Sequence, residues 1–158
     1  MAIVRDLEQL STDVNTARAG WFNSYQFGNL GMINASHNTN YPLIHFLPPS
    51  SAFVNPYKND ETMTCVFHCY QIVEIARDEG GVINPNQAFM LERTYDLLLE
   101  QFKGTMEALS LGFEHRYILT GMWGIERVNE EFNDGLVGLI CTVQINKFTH
   151  CLLHDSSV

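Results

Sequence analysis

Residues 62–77 read TMTCVFHCYQIVEIAR, and the fold follows from how that run alternates. Met63, Cys65, Phe67, Cys69, Gln71 and Val73 fall on one face of an extended chain. Thr64, Val66, His68, Tyr70, Ile72 and Glu74 fall on the other. Both faces are largely apolar near the middle, as expected of a central strand covered on two sides. DEGGVINPNQ (78–87), with Gly80-Gly81, reads as the loop after it.

Downstream, residues 86–110 (NQAFMLERTYDLLLEQFKGTMEALS) place Leu91, Tyr95, Leu98, Phe102, Met106 and Leu109 at helical spacing. Pro85 suits a first turn, with Asn84 or Asn86 as cap. Gly104 sits inside the helix at a cost of up to ~1 kcal/mol, and the expectation is a bend there. Residues 115–128 and 136–149 read as two strands joined through Asn133-Asp134-Gly135, a hairpin turn signal, so they pair antiparallel. Val137, Leu139, Cys141, Val143 and Ile145 share one face of the second strand.

Upstream, residues 3–17 carry Ile3, Leu7, Leu10 and Val14 on one stripe of a four-turn helix, with Gly20 as its stop. YPLIHFLPP (41–49) reads as a short strand bounded by prolines. The rest of residues 20–62 reads as a long, aromatic-rich loop insertion. The sum is a single α+β domain over residues 1–158, a mainly antiparallel sheet with one face covered by two helices.

Composition agrees. Of 158 residues, 46% are hydrophobic and 17% charged, enough apolar material for a core without disulfides or metal. A net charge of −9 argues against a free-standing nucleic-acid binder, since phosphate binding needs a basic surface. No apolar run approaches a membrane span, and no signal-peptide segment opens the chain. The four cysteines, Cys65, Cys69, Cys141 and Cys151, are then expected as free thiols from a reducing compartment.

Three chemical patterns stand beside plainer readings. Cys65, His68 and Cys69, with His150, Cys151 and His154, resemble two zinc knuckles. On a strand, however, residues 65 and 69 share a face while 68 points away, so the three do not converge on one ion. The expectation is two core cysteines, an exposed or edge histidine, and no metal or other cofactor. A Cys–His nucleophile lacks any local signature. The carboxylates Glu126, Glu130, Glu131 and Asp134 cluster at the hairpin, where a solvated tip is the ordinary explanation. In the long insertion, Trp21, Phe22, Tyr25, Phe27, Phe46, Phe53 and Tyr57 are too aromatic for a disordered segment and are expected to bury against a partner chain.

The element order, with IVEIARDEGG…LERTYDLLLEQF and the closing WGIERVNEEFNDGLVGLICTVQI, resembles the tail-terminator and tail-completion family of tailed bacteriophages over about residues 62–147. The resemblance implies a non-enzymatic virion protein of the head–tail connector, neck or tail. Such a subunit forms a homo-oligomeric ring, assembled in the host cytoplasm, that meets portal, adaptor or tail proteins while DNA passes through without specific binding. Glu126, Glu130, Glu131 and Asp134 would then face the channel, because an acidic wall repels phosphate. The long insertion departs from compact members of that family. The rival expectations are a small metal- or cysteine-dependent hydrolase and a host adaptor module.

Overall fold

The computed structural model describes residues 2–28, 40–49, 52–55, 60–72, 85–131 and 136–148. In chain order they form α1 (Ala2–Ala17), β1 (Ser24–Phe27), β2 (Leu43–Leu47), β3 (Ala52–Asn55), β4 (Asp60–Ile72), α2 (Pro85–Leu111), a turn at Phe113–His115, β5 (Tyr117–Leu119), β6 (Gly124–Glu131) and β7 (Leu136–Phe148). Two helices and a mostly antiparallel sheet make this an α+β fold, as the patterning predicts.

Two long strands carry the sheet. β4 and β7 pair antiparallel along their whole length, from Asp60 opposite Phe148 to Ile72 opposite Leu136. Each also borders two short strands end to end. β2 and β3 pair with β4, while β6 and β5 pair with β7. β1 lies outside β2 and runs parallel to it, the one parallel pair among the described strands.

The alternation read in residues 62–71 is the alternation seen. Met63, Cys65, Phe67 and Cys69 are buried with Ile145, Val143, Cys141 and Leu139 opposite them, and Val137 continues the same buried face. The stripe of α2 from Leu91 to Leu109 and the Leu10, Val14 and Ala17 side of α1 close over this face as one core. Phe46 stacks on Phe67 at 4.6 Å, and Phe67 meets Phe102 of α2 at 5.4 Å. Burying side chains of this size contributes about 1.5–3 kcal/mol each.

Two expectations need correction, and Gly104 gains a packing reason. The rest of residues 20–62 is not all loop: beside the expected strand, β2, the chain forms β1 and β3, and β1 and β2 place Tyr25, Phe27, Ile44 and Phe46 on the helix face. The strand expected over 115–128 is two, because the chain turns at Thr120–Trp123. There the Thr120 N–H donates to Gln144 O and the Trp123 Nε1–H to Thr120 O. Gly104 is explained by a close approach: the Trp21 ring lies where a Cβ on residue 104 would stand. The strand expected to reach residue 77 is described to Ile72, and the 133–135 turn lies outside the described residues.

The link from α2 to β5 is unusual. Phe113, Glu114 and His115 all have φ between 54° and 58°, one turn in the left-handed region. Each such non-glycine residue costs roughly 1–2 kcal/mol. The first residue of β5 holds the turn in place: the Phe113 ring packs edge-on against Tyr117 at 6.3 Å, and Tyr117 is itself anchored in the core.

Candidate functional site

The cysteines come first, since two of the rival readings need them. Cys65, Cys69 and Cys141 are free and buried in the apolar core under α2. Burial pushes the Cys65 thiol up to about 12. Burial, with Cys141 alongside, raises that of Cys69 well above its ordinary value. A thiol held protonated is a poor nucleophile. His68 stands on the opposite face of β4, so the first zinc knuckle does not converge, and no group of three metal-binding side chains occurs among the described residues. His150, Cys151 and His154 lie outside the described residues.

His68 itself departs from expectation. It is buried on a central strand, neither exposed nor at an edge. The sheet face turned away from the helices carries a row that crosses five strands: Gln26, His45, His68, Ile140 and Glu126 are successive register partners. Tyr70 lies beside His68 with its hydroxyl 2.8 Å from His68 Nδ1, and its ring crosses β7 where residue 138 has no side chain. His45 Nε2 is 2.6 Å from the carbonyl of Gly28. A carbonyl only accepts, so the proton sits on Nε2 and Nδ1 is a bare acceptor. That Nδ1, and Oε1 of the neighbouring Gln26, are buried without a hydrogen-bond partner among the described residues. Burial lowers the His45 pKa, and the Gly28 bond offsets this in part. The reading of residues 41–49 as a strand places His45 on a face. What it misses is that two histidines meet across β2 and β4.

A second polar group lies inside the helix-face core. Asp13 of α1 is buried and accepts from Tyr117 Oη at 2.5 Å, Gln9 Nε2 at 3.0 Å and Arg116 Nη1 at 3.4 Å. Tyr117, Lys147 and Glu61 are successive register partners, and all three are buried. Asp13 is offset by the part-exposed Arg116, and the buried Glu61 and Lys147 carry opposite charges at paired positions, an arrangement that offsets the cost of burying charge. The Asp13–Tyr117 bond joins α1 to β5.

The aromatic residues expected at a partner surface divide. Phe22 and Phe46 are buried in the chain's own core, and Tyr25 and Phe27 pack against it, so these four are corrected to core residues. The Tyr25 hydroxyl shares a 2.6 Å hydrogen bond with Ser11, and burial pushes its pKa up to about 12. For Tyr25, Phe27 and Phe46 the register of β1 and β2 explains the change, since it turns all three toward the helices. Trp21 and Phe53 are exposed, and Tyr57 lies outside the described residues. Of the acidic group, Glu126 is exposed on the outer face of β6, Glu130 and Glu131 lie at that strand's far end, and Asp134 lies outside the described residues.

Large apolar side chains remain in solvent at both lateral edges of the sheet. On one side is Phe53 of β3, 78% exposed. On the other are Ile118 of β5 at 51%, Ile125 of β6, and Met122 in the turn between them at 91%. Arg127 of β6 pairs with Glu92 of α2 through two 2.6 Å bonds and lies 4.8 Å above the Tyr95 ring, which ties this edge to the helix layer. No helix among the described residues is long and apolar enough to cross a membrane. No protein-family model matches the sequence, and no curated protein matches it significantly.

Proposed function

We propose that this chain is a non-enzymatic structural subunit of a tailed-phage virion, a head–tail connector or tail-terminator protein that forms a homo-oligomeric ring. The observation that carries the reading is the exposed apolar side chains on two opposite edges of an open sheet. A ring needs two different surfaces on opposite sides of each subunit, one for each neighbour. Phe53 on one edge and Ile118 and Met122 on the other supply such a pair. Outward-facing edge strands carrying such side chains are suited to cover by a neighbouring copy.

The charge supports the same role. A net charge of −9 keeps a channel wall from binding the duplex that slides past it. Glu126, exposed on the face away from the helices, is the described carboxylate best placed to line such a channel, with Glu130 and Glu131 further along the same strand. Portal, adaptor or tail proteins would be the neighbours above and below.

Native mass spectrometry across a range of concentrations, with electron microscopy of the same sample, tests the reading. A closed, metal-free multimer is expected. A monomer carrying one stoichiometric zinc would overturn it in favour of a metal site.

A further inference from the structure

We propose that neighbouring copies join edge to edge, the Phe53 side of β3 in one copy docking against the Ile118–Met122 side of β5 in the next. The inference rests on the ring reading and names its contact. Phe53 is opposite Thr62, Thr62 is opposite Asn146, and Asn146 is opposite Ile118. The four residues form one row across β3, β4, β7 and β5 on the face away from the helices. Both ends of that row are apolar and exposed, and its middle is polar. Among the described residues β3 pairs only with β4 and β5 only with β7, so each leaves one line of backbone groups facing outward.

The row decides the geometry. Two contact points at one level along the strands let each copy join the last without a rise in the strand direction. Head-to-tail contacts close into a ring where the rotation between copies completes a circle without a rise, and otherwise wind into filaments. An isologous pairing of Phe53 with itself would leave Ile118 and Met122 uncovered, so the complementary arrangement is the one that hides both edges.

The area sets the behaviour. Phe53, Ile118, Met122 and Ile125 together expose roughly 500 Å² of apolar surface, on the scale of large buried side chains. A free-standing pair of proteins usually buries about 1,200–2,000 Å² in total. One such contact is therefore weak, and an open dimer still shows a bare edge at each end. Only closure covers every edge, so assembly passes from monomer to ring with open intermediates scarce.

The test is cysteine cross-linking of the full chain with a short bismaleimide. The doubly substituted variant Phe53→Cys/Ile118→Cys should give a ladder of covalent multimers that stops at the subunit number seen by native mass spectrometry. Each single variant should give no such ladder. Both side chains are exposed, so the substitutions leave the core intact; because they also remove the contact's apolar anchors, a double variant that stays monomeric where the wild-type chain forms a multimer upholds the contact. Covalent dimers from Phe53→Cys alone would overturn the head-to-tail contact. A closed multimer without any 53–118 link would overturn this contact while leaving the ring reading in place. A ladder without end would uphold the contact and overturn closure, and with it the ring. No multimer of the wild-type chain at high protein concentration would overturn both.

Discussion

Replacing Gly104 with alanine sets two opposing effects against each other. In a helix interior Ala is favoured over Gly by about 0.8–1 kcal/mol, so propensity alone makes Gly104→Ala stabilising. In this fold three atoms of the Trp21 ring lie within 3.0 Å of where the new Cβ would stand, closer than real Cβ atoms come to any neighbour. Ordinary carbon contacts sit at ~3.5–4.0 Å, so the ring must retreat by about an ångström or swing away. Trp21 is 43% exposed. The hidden remainder of so large a side chain is roughly 100–150 Å², worth about 3 kcal/mol at ~25 cal/mol per Å². Losing half to all of that outweighs the propensity gain, and the net expected is a destabilisation of about 0.5–2 kcal/mol. Urea denaturation of four proteins reads it: wild type, Gly104→Ala, Trp21→Ala and the double variant. With Trp21 already removed, Gly104→Ala should change sign and stabilise by about 1 kcal/mol. An equal effect of Gly104→Ala in both backgrounds would refute the reasoning, as would a stabilised single variant.

Three further outcomes are expected. Tyr117→Phe removes the 2.5 Å bond to buried Asp13 and should cost about 2 kcal/mol, the scale of a hydrogen bond to a charged group; a loss below about 0.5 kcal/mol in denaturant melts would show that Arg116 and Gln9 suffice. Because the folded-state pKa of His45 is lowered, the unfolded chain takes up a proton that the native chain resists once pH falls below about 6.5. Stability should therefore drop on acidification through that value, by at most ~1.4 kcal/mol per pH unit, and His45→Gln should flatten the slope between about pH 7.5 and 5. Cys65, Cys69 and Cys141 should resist maleimide labelling in the native protein and label after unfolding; rapid native labelling of any of the three, read by peptide mass, would contradict their burial.

How much of the fold was legible in the sequence depended on whether the signal was local. The α2 stripe from Leu91 to Leu109 is strict enough to name six core residues, and all six are buried. Residues 62–72 and 136–148 alternate without Gly or Pro breaks severe enough to blur them, Gly138 included, because the Tyr70 ring fills the space it leaves. The insertion was harder. Tyr25 and Phe27 sit on a strand of four residues, too short for alternation to stand out, and its partner β2 lies beyond a polar stretch. A short strand is stabilised by its neighbours more than by its own pattern.

The candidate surfaces show the same division. Aromatic content in residues 20–62 pointed toward a partner, yet four of those side chains completed the chain's own core, and only Trp21 and Phe53 stayed in solvent among the described ones. Ile118 and Met122 gave no sequence signal, since a lone apolar residue beside a turn reads the same whether it packs inward or not. His45 and His68 are far apart in the chain and become neighbours only through the β2–β4 register.

By itself the sequence determined the two helices, the two long strands, the core stripe of α2 and the acidic balance, because these depend on periodicity and composition within a few residues. The tertiary structure alone decided that β1 joins parallel to β2, that Asp13 reaches Tyr117, that Trp21 occupies the place of a Gly104 side chain, and that Phe53 and Ile118 end one row. Each of those depends on register between segments distant in the chain. Shifting a strand's pairing by a single residue moves its side chains to the opposite face without changing any local preference.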